Sequence, residues 1–160
     1  PALPRGGKTL RQRLFDTIAA ATKAHFPDQP LQLWCEPGRA MVAEAFSLAA
    51  RVKAVRAPDQ LFLNDGIYGG LADLRDMALS HRVRVYAPDG QLREAAPRPR
   101  VIFGPTCDSL DRLPDGLPLP DDLQAGDYVL FDAMGAYSIA MSTAFNGYGL
   151  RDVISTQSLR

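Results

Sequence analysis

The sequence predicts a mainly β protein with a smaller helical part near its N-terminal end. Apolar residues recur at helical spacing only near the start of the chain. From about residue 48 onward, short apolar runs of strand length alternate with turn residues. We therefore expect the tail of an α/β layer joined to a small β-barrel or sandwich.

The N-terminal part is predicted to contain one helix and one strand. Apolar residues fall on one helical face between Lys8 and Phe26, and Pro27 ends the helix. The apolar run Leu31–Cys35 is typical of a buried strand, closed by Pro37 and Gly38. Because a lone strand leaves its backbone groups without partners, we expect its neighbours upstream of this segment.

The β part is predicted to follow a short helical piece around Ala40–Ser47. Asp89 and Gly90 favour a hairpin, since both residues tolerate the positive φ of a primed turn. Residues Leu113–Asp122 include three prolines and one glycine, and we expect a long surface loop there. The candidate strands are Leu48–Val55, Leu61–Asn64, Arg82–Tyr86, Gln91–Ala95, Val101–Phe103 and Tyr128–Phe131.

Composition argues against several classes of partner. The 18 basic and 18 acidic residues balance, so no basic field is available for a nucleic-acid backbone. No apolar stretch reaches the ~18 residues of a membrane-spanning helix. Two cysteines are too few for a disulfide framework, and we expect a reducing, cytoplasmic setting. Neither His25 nor His81 has a partner at metal-ligand spacing, so no metal site is predicted.

A carboxylate and a guanidinium follow the predicted strand, at Glu36 and Arg39. Ligands of α/β folds tend to bind at the carboxyl ends of strands. The planar fork of Arg39 suits a phosphate, and Gly38 would allow close backbone approach. An ion pair beside a strand-helix turn explains the same residues, so the pattern leaves both interpretations open.

Two later loops also concentrate polar side chains. Residues 64–70 are glycine-dense around Tyr68, which by itself is typical of a turn. Residues 104–111 place Cys107 and Asp108 on a loop, where function tends to concentrate. A small buried thiol beside an Asx turn is the alternative.

Two segments near the C-terminal end combine small residues with aromatic ones. They are residues 134–137, which include Tyr137, and residues 144–149, which include Phe145. Small residues let backbones approach each other or a ligand closely. Taken singly, each of these aromatic residues is better explained by core packing.

In their order along the chain, five segments resemble the signatures of the ornithine decarboxylase branch of the fold-type III, alanine-racemase-like enzymes. They are EPGR, NDGIYGG, GPTCDSLD, GDYVLFDAMGAY and AFNGYG. Diaminopimelate decarboxylases typically have Glu-Ser-Gly-Asp after the cysteine, where this chain has Asp-Ser-Leu-Asp, and this difference favours the ornithine branch. The resemblance implies that residues 1–47 are the last αβ unit of a (β/α)8 TIM barrel and that residues 48–160 form the C-terminal β domain.

The resemblance implies a pyridoxal 5'-phosphate cofactor. Glu36 would pair with the pyridine nitrogen and so make the ring a better electron sink. Arg39, with the backbone at Pro37 and Gly38, would hold the cofactor phosphate through charge-assisted hydrogen bonds. Tyr137 would donate its hydroxyl to the same phosphate.

The resemblance also implies a substrate site shared between the subunits of a homodimer. Cys107 would donate a proton to the decarboxylated carbon in the partner's site, and Asp108 would bind the distal ammonium of the substrate. Tyr68 would line this pocket, and Phe145 would lie near the cofactor. The family's second aspartate falls nine residues after the tyrosine, one position beyond Asp76, so ornithine is not separated from lysine or other basic amino acids.

Enzymes of this kind hold the cofactor as a Schiff base on a lysine of the barrel. None of Lys8, Lys23 and Lys53 resembles that lysine. We expect a part of a decarboxylase that makes a diamine such as putrescine, inactive without the missing N-terminal barrel. Alternatives are a lysine or diaminopimelate decarboxylase, a catalytically silent homologue of the antizyme-inhibitor kind, and an independent β module.

Overall fold

The computed structural model describes residues 9–29, 31–75, 82–114, 116–149 and 152–157. The chain divides into two compact units, Pro1–Glu36 and Pro37–Arg160. This division falls earlier in the sequence than the predicted boundary between residues 47 and 48. The assignment of residues 1–47 to a barrel stays a prediction.

The first unit contains helix α1 (Leu10–His25), which confirms the predicted helix. Helix α1 begins with a capping box. The Gln12 backbone N–H donates to Thr9 Oγ1 at 3.2 Å, and the Thr9 N–H donates to Gln12 Oε1 at 2.8 Å. No residue of α1 is buried. The apolar residues of α1 are therefore spaced as predicted, but none of them is buried.

The buried strand predicted at Leu31–Cys35 is wrong for this chain. Residues 31–37 have no regular secondary structure, and the Trp34 side chain is 85% exposed. A strand requires neighbours that satisfy its backbone groups. All the strands that the structure describes belong to the second unit, and none pairs with this segment.

The second unit begins with helix α2 (Gly38–Val42) and a 3-10 turn (Ala43–Ala45), followed by a six-stranded sheet. The sheet order is β3-β6-β1-β2-β4-β5; β2 and β4 are parallel, and every other pair is antiparallel. The edge strands β3 and β5 approach each other, so the sheet nearly closes into a barrel. The strands are β1 (Leu48–Arg56), β2 (Gln60–Leu63), β3 (Val83–Tyr86), β4 (Pro97–Phe103), β5 (Leu117–Pro120) and β6 (Tyr128–Phe131). The predicted mainly β fold is confirmed.

Strand β1 shows why the sheet closes around one core. Leu48, Ala50 and Val52 are buried, whereas the residues between them are exposed, which is the two-residue period of a strand with one face inward. Leu48 pairs with Phe131 and Ala50 with Val129, so both strands turn the same face inward. The core also contains Leu61, Leu63, Leu71, Leu74, Val85, Ile102, Leu113, Leu119, Leu123 and Met134.

The long loop predicted at Leu113–Asp122 is partly wrong, because it contains β5. Pro118 and Pro120 lie in that strand, and Pro118 pairs with Pro99 of β4. Prolines are tolerated on edge strands, where one side of the backbone needs no ladder partner. Only the position of β5 at the sheet edge explains why this proline-rich run is a strand.

The chain turns at Asp89 and Gly90 as predicted, but the turn is not of the primed kind, because Gly90 has a positive φ and Asp89 does not; the strand predicted at Gln91–Ala95 is wrong. Gly90 has a φ of +88°, and the Gln91 N–H donates to Asp89 Oδ1 at 3.0 Å. Beyond the turn, Leu92 forms only an isolated bridge with Tyr86. The chain thus reverses direction as predicted without continuing as a ladder.

Candidate active site

A buried aspartate ties the two polar loops of the second unit together. Asp111 Oδ1 accepts a hydrogen bond from the Ile67 N–H at 3.0 Å, and Oδ2 accepts from the Thr106 N–H at 3.0 Å and the Thr106 hydroxyl at 2.7 Å. The Asp111 residue is only 2% exposed. Its carboxylate therefore fixes the loop of residues 64–70 against the loop of residues 104–111.

The glycines of these loops make room for that carboxylate. A β-carbon at Gly66 or at Gly104 would lie 2.1 Å from Asp111 Oδ1, much closer than atoms can approach. The Gly104 N–H also donates to the backbone oxygen of Asp111 at 2.7 Å. Both positions require glycine because the Asp111 side chain approaches them closely. The sequence pattern did not indicate this role of Asp111.

A second buried aspartate shapes the first loop from within. Asp65 Oδ1 and Oδ2 accept from the backbone N–H groups of Gly66 at 2.9 Å and Gly70 at 3.0 Å. Burial raises the pKa of Asp65, although both of these bonds oppose the shift. A β-carbon at Gly69 would lie 1.8 Å from Asp65 Oδ1. This part of the motif therefore orders the turn that presents Tyr68.

Tyr68 and Asp108 are joined directly. The Tyr68 hydroxyl donates to Asp108 Oδ2 at 2.5 Å, and the Leu110 N–H donates to Asp108 Oδ1 at 2.9 Å. These bonds, that from Tyr68 first, lower the pKa of Asp108 and so favour its ionised form. The same bond raises the pKa of Tyr68. The pair presents a carboxylate suited to a cationic ligand.

The thiol of Cys107 is exposed and lies beside Asn146. The Asn146 side-chain amide donates to Cys107 Sγ at 3.4 Å. Phe145 packs against Tyr68, with ring centroids 4.6 Å apart, and the Thr143 N–H and hydroxyl each donate to the Tyr68 carbonyl oxygen at 2.8 Å. The structure thus brings together four residues singled out from the sequence, from three separate motifs.

Asn146 and Thr143 were not among the predicted site residues. Asn146 has a φ of +50°, a conformation in which asparagine is favoured over most residues. Its place beside Phe145 in the AFNGYG segment was the only available signal. No pattern in the sequence indicated that Thr143 would contact Tyr68.

Arg39 lies in a second group with Asp73 and Tyr137. Arg39 Nη1 donates to Asp73 Oδ2 at 2.6 Å, and Nη2 donates to Asp73 Oδ1 at 3.0 Å. The Arg39 Cζ lies 5.0 Å from the centroid of the Tyr137 ring. The bond to Asp73 is the largest cause that raises the pKa of Arg39. The sequence left open that Arg39 forms an ion pair. The structure shows such a pair with Asp73, which the sequence did not indicate.

The loop that carries Tyr137 is fixed to the end of α2. The Gly135 N–H donates to the Ala43 carbonyl oxygen at 2.9 Å, and a β-carbon at Gly135 would lie 1.7 Å from the Val42 oxygen. Tyr137 itself has a φ of +62°. The close backbone approach at Gly135 therefore places Tyr137 beside Arg39, which lies in α2.

The other predicted site residues are less defined. Glu36 and Pro37 are exposed, and Gly38 begins α2. A β-carbon at Gly38 would meet no atom of the described residues within 4 Å, so nothing within this chain requires a glycine there. Asp76 lies outside the described residues. The roles assigned to these four residues stay predictions.

The described residues contain neither a metal-binding cluster nor a membrane-spanning helix. No group of three or more His, Cys, Asp or Glu side chains in the described ranges is arranged to hold a metal ion. None of the helices in the described part of the chain is both long enough and apolar enough to cross a membrane.

The second unit is thus a nearly closed β domain that carries an exposed thiol, a carboxylate held by a tyrosine, and an arginine beside a second tyrosine. The chain belongs to the pyridoxal-dependent decarboxylases: the sequence model of their C-terminal sheet domain matches residues 16–135.

Individual relatives agree with this family. The chain is 34% identical to the chloroplastic ornithine decarboxylase of Nicotiana glutinosa over 94% of its length, and 33% identical to antizyme inhibitor 2 of Xenopus laevis over 86%. The arginine decarboxylase of Paramecium bursaria Chlorella virus, solved with agmatine, aligns over 93% of this chain with 29% identity and a TM-score of 0.68. The aligned regions are 38%, 33% and 40% of these proteins, so the chain spans well under half of each.

The donors of the second group fit the phosphate end of pyridoxal phosphate. A guanidinium and a phenol are donor types that bind phosphate oxygens, and a planar arginine fork suits them especially well. Both side chains keep solvent access, with 35% of the Arg39 side chain and 50% of Tyr137 exposed. The residues present are therefore compatible with the cofactor of the family.

Proposed function

We propose that this chain is the C-terminal portion of a pyridoxal-phosphate-dependent decarboxylase, a lyase that converts ornithine or a similar basic amino acid to a diamine such as putrescine, in polyamine biosynthesis. The observation that carries the proposal is the Asp108 carboxylate, whose pKa is lowered by the hydrogen bond from the Tyr68 hydroxyl and which directly follows the exposed thiol of Cys107.

Asp108 would select the substrate by charge. A carboxylate that has lost water to a bound substrate requires a cationic partner, because an unpaired buried charge is costly. An amino acid with a distal ammonium supplies that charge, and an apolar amino acid does not. Tyr68 would hold Asp108 in place, and Asp76 would add a second carboxylate. These groups favour the basic amino acids as a class rather than one member.

Cys107 would act as the proton donor. Its thiol, oriented by the amide of Asn146, would give a proton to the carbon from which carbon dioxide has left. Its exposure supports a position where a thiol can reach a substrate held by another subunit. We therefore propose a homodimer with shared active sites, in which Phe145 lies near the same site.

Pyridoxal phosphate, when bound, supplies the electron sink that decarboxylation requires. Arg39 and Tyr137 would hold its phosphate group, assisted by the backbone at Pro37 and Gly38. Glu36 would face the ring nitrogen and keep it protonated. Each of these roles is carried over from the family to the residue that matches its motif.

The chain by itself is expected to be inactive. None of its three lysines matches the cofactor lysine of the family, and the chain spans 33 to 40% of the relatives described above. We propose that an N-terminal barrel of the same protein supplies that lysine. Two free, exposed cysteines support a reducing compartment, and we propose the cytoplasm.

A catalytically silent homologue is the second candidate, favoured by the similarity to antizyme inhibitor 2. Such a protein could lose its cofactor contacts without losing its fold. The presence of Arg39, Tyr137, Cys107 and Asp108 together supports the enzyme instead. A lysine or diaminopimelate decarboxylase differs from the first proposal only in substrate.

The test measures carbon dioxide release by the longer protein that contains this chain. Ornithine, lysine and diaminopimelate are offered in turn with pyridoxal phosphate, and cofactor binding is followed by absorbance. We expect release from ornithine or lysine, a raised KM for Asp108→Ala and a reduced kcat for Cys107→Ala. Bound cofactor without release from any substrate would reject the proposal. Absence of cofactor binding would favour the silent homologue.

A further inference from the structure

We propose that Asp73 is a positioning residue that orients the guanidinium of Arg39 for binding a phosphate ester. The proposal rests on the proposed function, because it takes Arg39 as the residue that holds the cofactor phosphate. Two hydrogen bonds of 2.6 and 3.0 Å join the two side chains end to end. The residues are 34 positions apart, so the fold alone brings them together.

The contacts of Arg39 hold it without using all of its donors. Both bonds to Asp73 come from the terminal nitrogens, so the Nε–H takes no part in them. The Tyr137 ring covers one face of the guanidinium at 5.0 Å. A guanidinium has five N–H groups, and the two hydrogen bonds that Arg39 forms with described residues use two of them, which leaves three for an anion in this part of the structure. The plane of Arg39 is thus set while one edge remains available to a phosphate.

Asp73 is itself well placed to orient another side chain. It lies in a 3-10 helix (Ala72–Arg75) flanked by the buried side chains of Leu71 and Leu74. The Leu71 N–H donates to the Gly66 carbonyl oxygen at 3.2 Å, which connects this helix to the loop that carries Tyr68. Because the core side chains of Leu71 and Leu74 anchor the chain on both sides of it, Asp73 can orient a long and flexible arginine side chain.

The opposite effect must be weighed, because Asp73 also neutralises part of the positive charge of Arg39. Both side chains are partly exposed, 35% for Arg39 and 17% for Asp73, and solvent and salt weaken the charge effect there. Solvent and salt do not weaken the orienting effect of Asp73. Without it, the flexible Arg39 side chain would lose conformational entropy each time the phosphate binds. We therefore expect loss of orientation to outweigh the gain in charge when Asp73 is removed.

The test uses the longer protein with Asp73→Ala and Asp73→Asn, and measures the dissociation constants of pyridoxal phosphate and of pyridoxal, which lacks the phosphate. We expect Asp73→Ala to weaken pyridoxal phosphate about tenfold, the size of one misaligned charge-assisted bond, and to change pyridoxal by less than about twofold. Asp73→Asn should fall between, because its amide keeps one acceptor oxygen. The kcat at saturating cofactor should stay nearly constant.

Two further variants separate the explanations. Asp122→Asn serves as the matched control, since Asp122 is an exposed partner of Arg93 at 3.7 Å and should leave both constants unchanged. Arg39→Ala should weaken pyridoxal phosphate at least as much as Asp73→Ala. If Arg39→Ala has no effect, the phosphate role in the proposed function fails, and the role of Asp73 fails with it.

The remaining outcomes concern Asp73 alone. If Arg39→Ala weakens pyridoxal phosphate but Asp73→Ala leaves it unchanged or tightens it, the positioning role is wrong and the charge effect dominates. Equal weakening of pyridoxal phosphate and pyridoxal would indicate general disruption of the fold and would also overturn the proposal. Thermal unfolding of each variant checks that the comparison is between folded proteins.

Discussion

The Tyr68 hydroxyl donates a 2.5 Å hydrogen bond to the carboxylate of Asp108, which lies forty residues further along the chain. This bond joins two loops whose order depends on a third residue, Asp111, because the Asp111 carboxylate accepts hydrogen bonds from both. The thiol of Cys107 is carried on the second of these loops. The relationship therefore predicts how several substitutions act on stability, ionisation and thiol reactivity.

Tyr68→Phe should raise the pKa of Asp108 toward its ordinary value, because the largest cause of its lowering is removed. The phenyl ring keeps the contact with Phe145. The native pKa is lowered, so the bond stabilises the fold above the ordinary aspartate pKa of about 3.9, and this is lost as the pH falls through the native pKa. NMR titration of the Asp108 carboxyl in both proteins measures the shift. An unchanged pKa would contradict the role of Tyr68.

Gly66→Ala and Gly104→Ala should each destabilise the protein, because a β-carbon at either site would collide with Asp111 Oδ1. Overpacking of this kind costs about 1–3 kcal/mol. Urea unfolding measures the loss. Gly38→Ala is the matched control, because no described atom lies within 4 Å of the β-carbon it would add. Equal stability of all three variants would show that the loops relax around the added carbon.

Asp111→Asn should loosen both loops while keeping the shape of the side chain. The amide replaces one acceptor oxygen by a donor, so either Ile67 or Thr106 loses its partner, at a cost of about 1–3 kcal/mol. Hydrogen exchange should become faster at the Ile67 and Thr106 amides. Asp122→Asn is the control, since Asp122 is an exposed partner of Arg93 at 3.7 Å. Unchanged exchange rates would exclude Asp111 as the link.

Asn146→Gly should speed alkylation of Cys107, because removal of the side-chain amide frees the sulfur lone pair to which it donates. Glycine tolerates the φ of +50° at this position, so the backbone is preserved. The rate of reaction with iodoacetamide measures the change. A Cys35→Ser background removes the other exposed thiol. A rate equal to that of the unmodified protein would contradict the contact between Asn146 and Cys107.

Local sequence signals predicted much of the fold. The spacing of apolar residues identified α1, and apolar runs of strand length between turn residues identified β1, β2, β3, β6 and the end of β4, because these patterns depend on neighbours in the chain. The sequence did not predict β5, because its prolines favour a loop, whereas a position at the sheet edge makes them acceptable in a strand. The prediction of a strand at Leu31–Cys35 failed because an apolar run forms a strand only where neighbouring strands pair with it. The described sheet provides no such neighbour.

In the candidate site, too, the sequence indicated some residues, whereas only the structure revealed the others. Tyr68, Asp108 and Cys107 were recognisable from their motifs, although their contacts were not. Asp73 and Asn146 were missed, because a single aspartate in a turn or an asparagine before a glycine has many ordinary explanations. Their partners lie 34 and 39 residues away, and no local period connects them.

By itself the sequence determined the mainly β class, the helix α1 and the order of five motifs that resemble one family of decarboxylases. Only the tertiary structure decided that Asp111 joins two of these motifs, that Tyr68 bonds Asp108 and that Asp73 holds Arg39. The physical reason is that secondary structure follows from short-range periodicity and turn chemistry, whereas hydrogen bonds between distant side chains depend on how the nearly closed sheet brings its loops together.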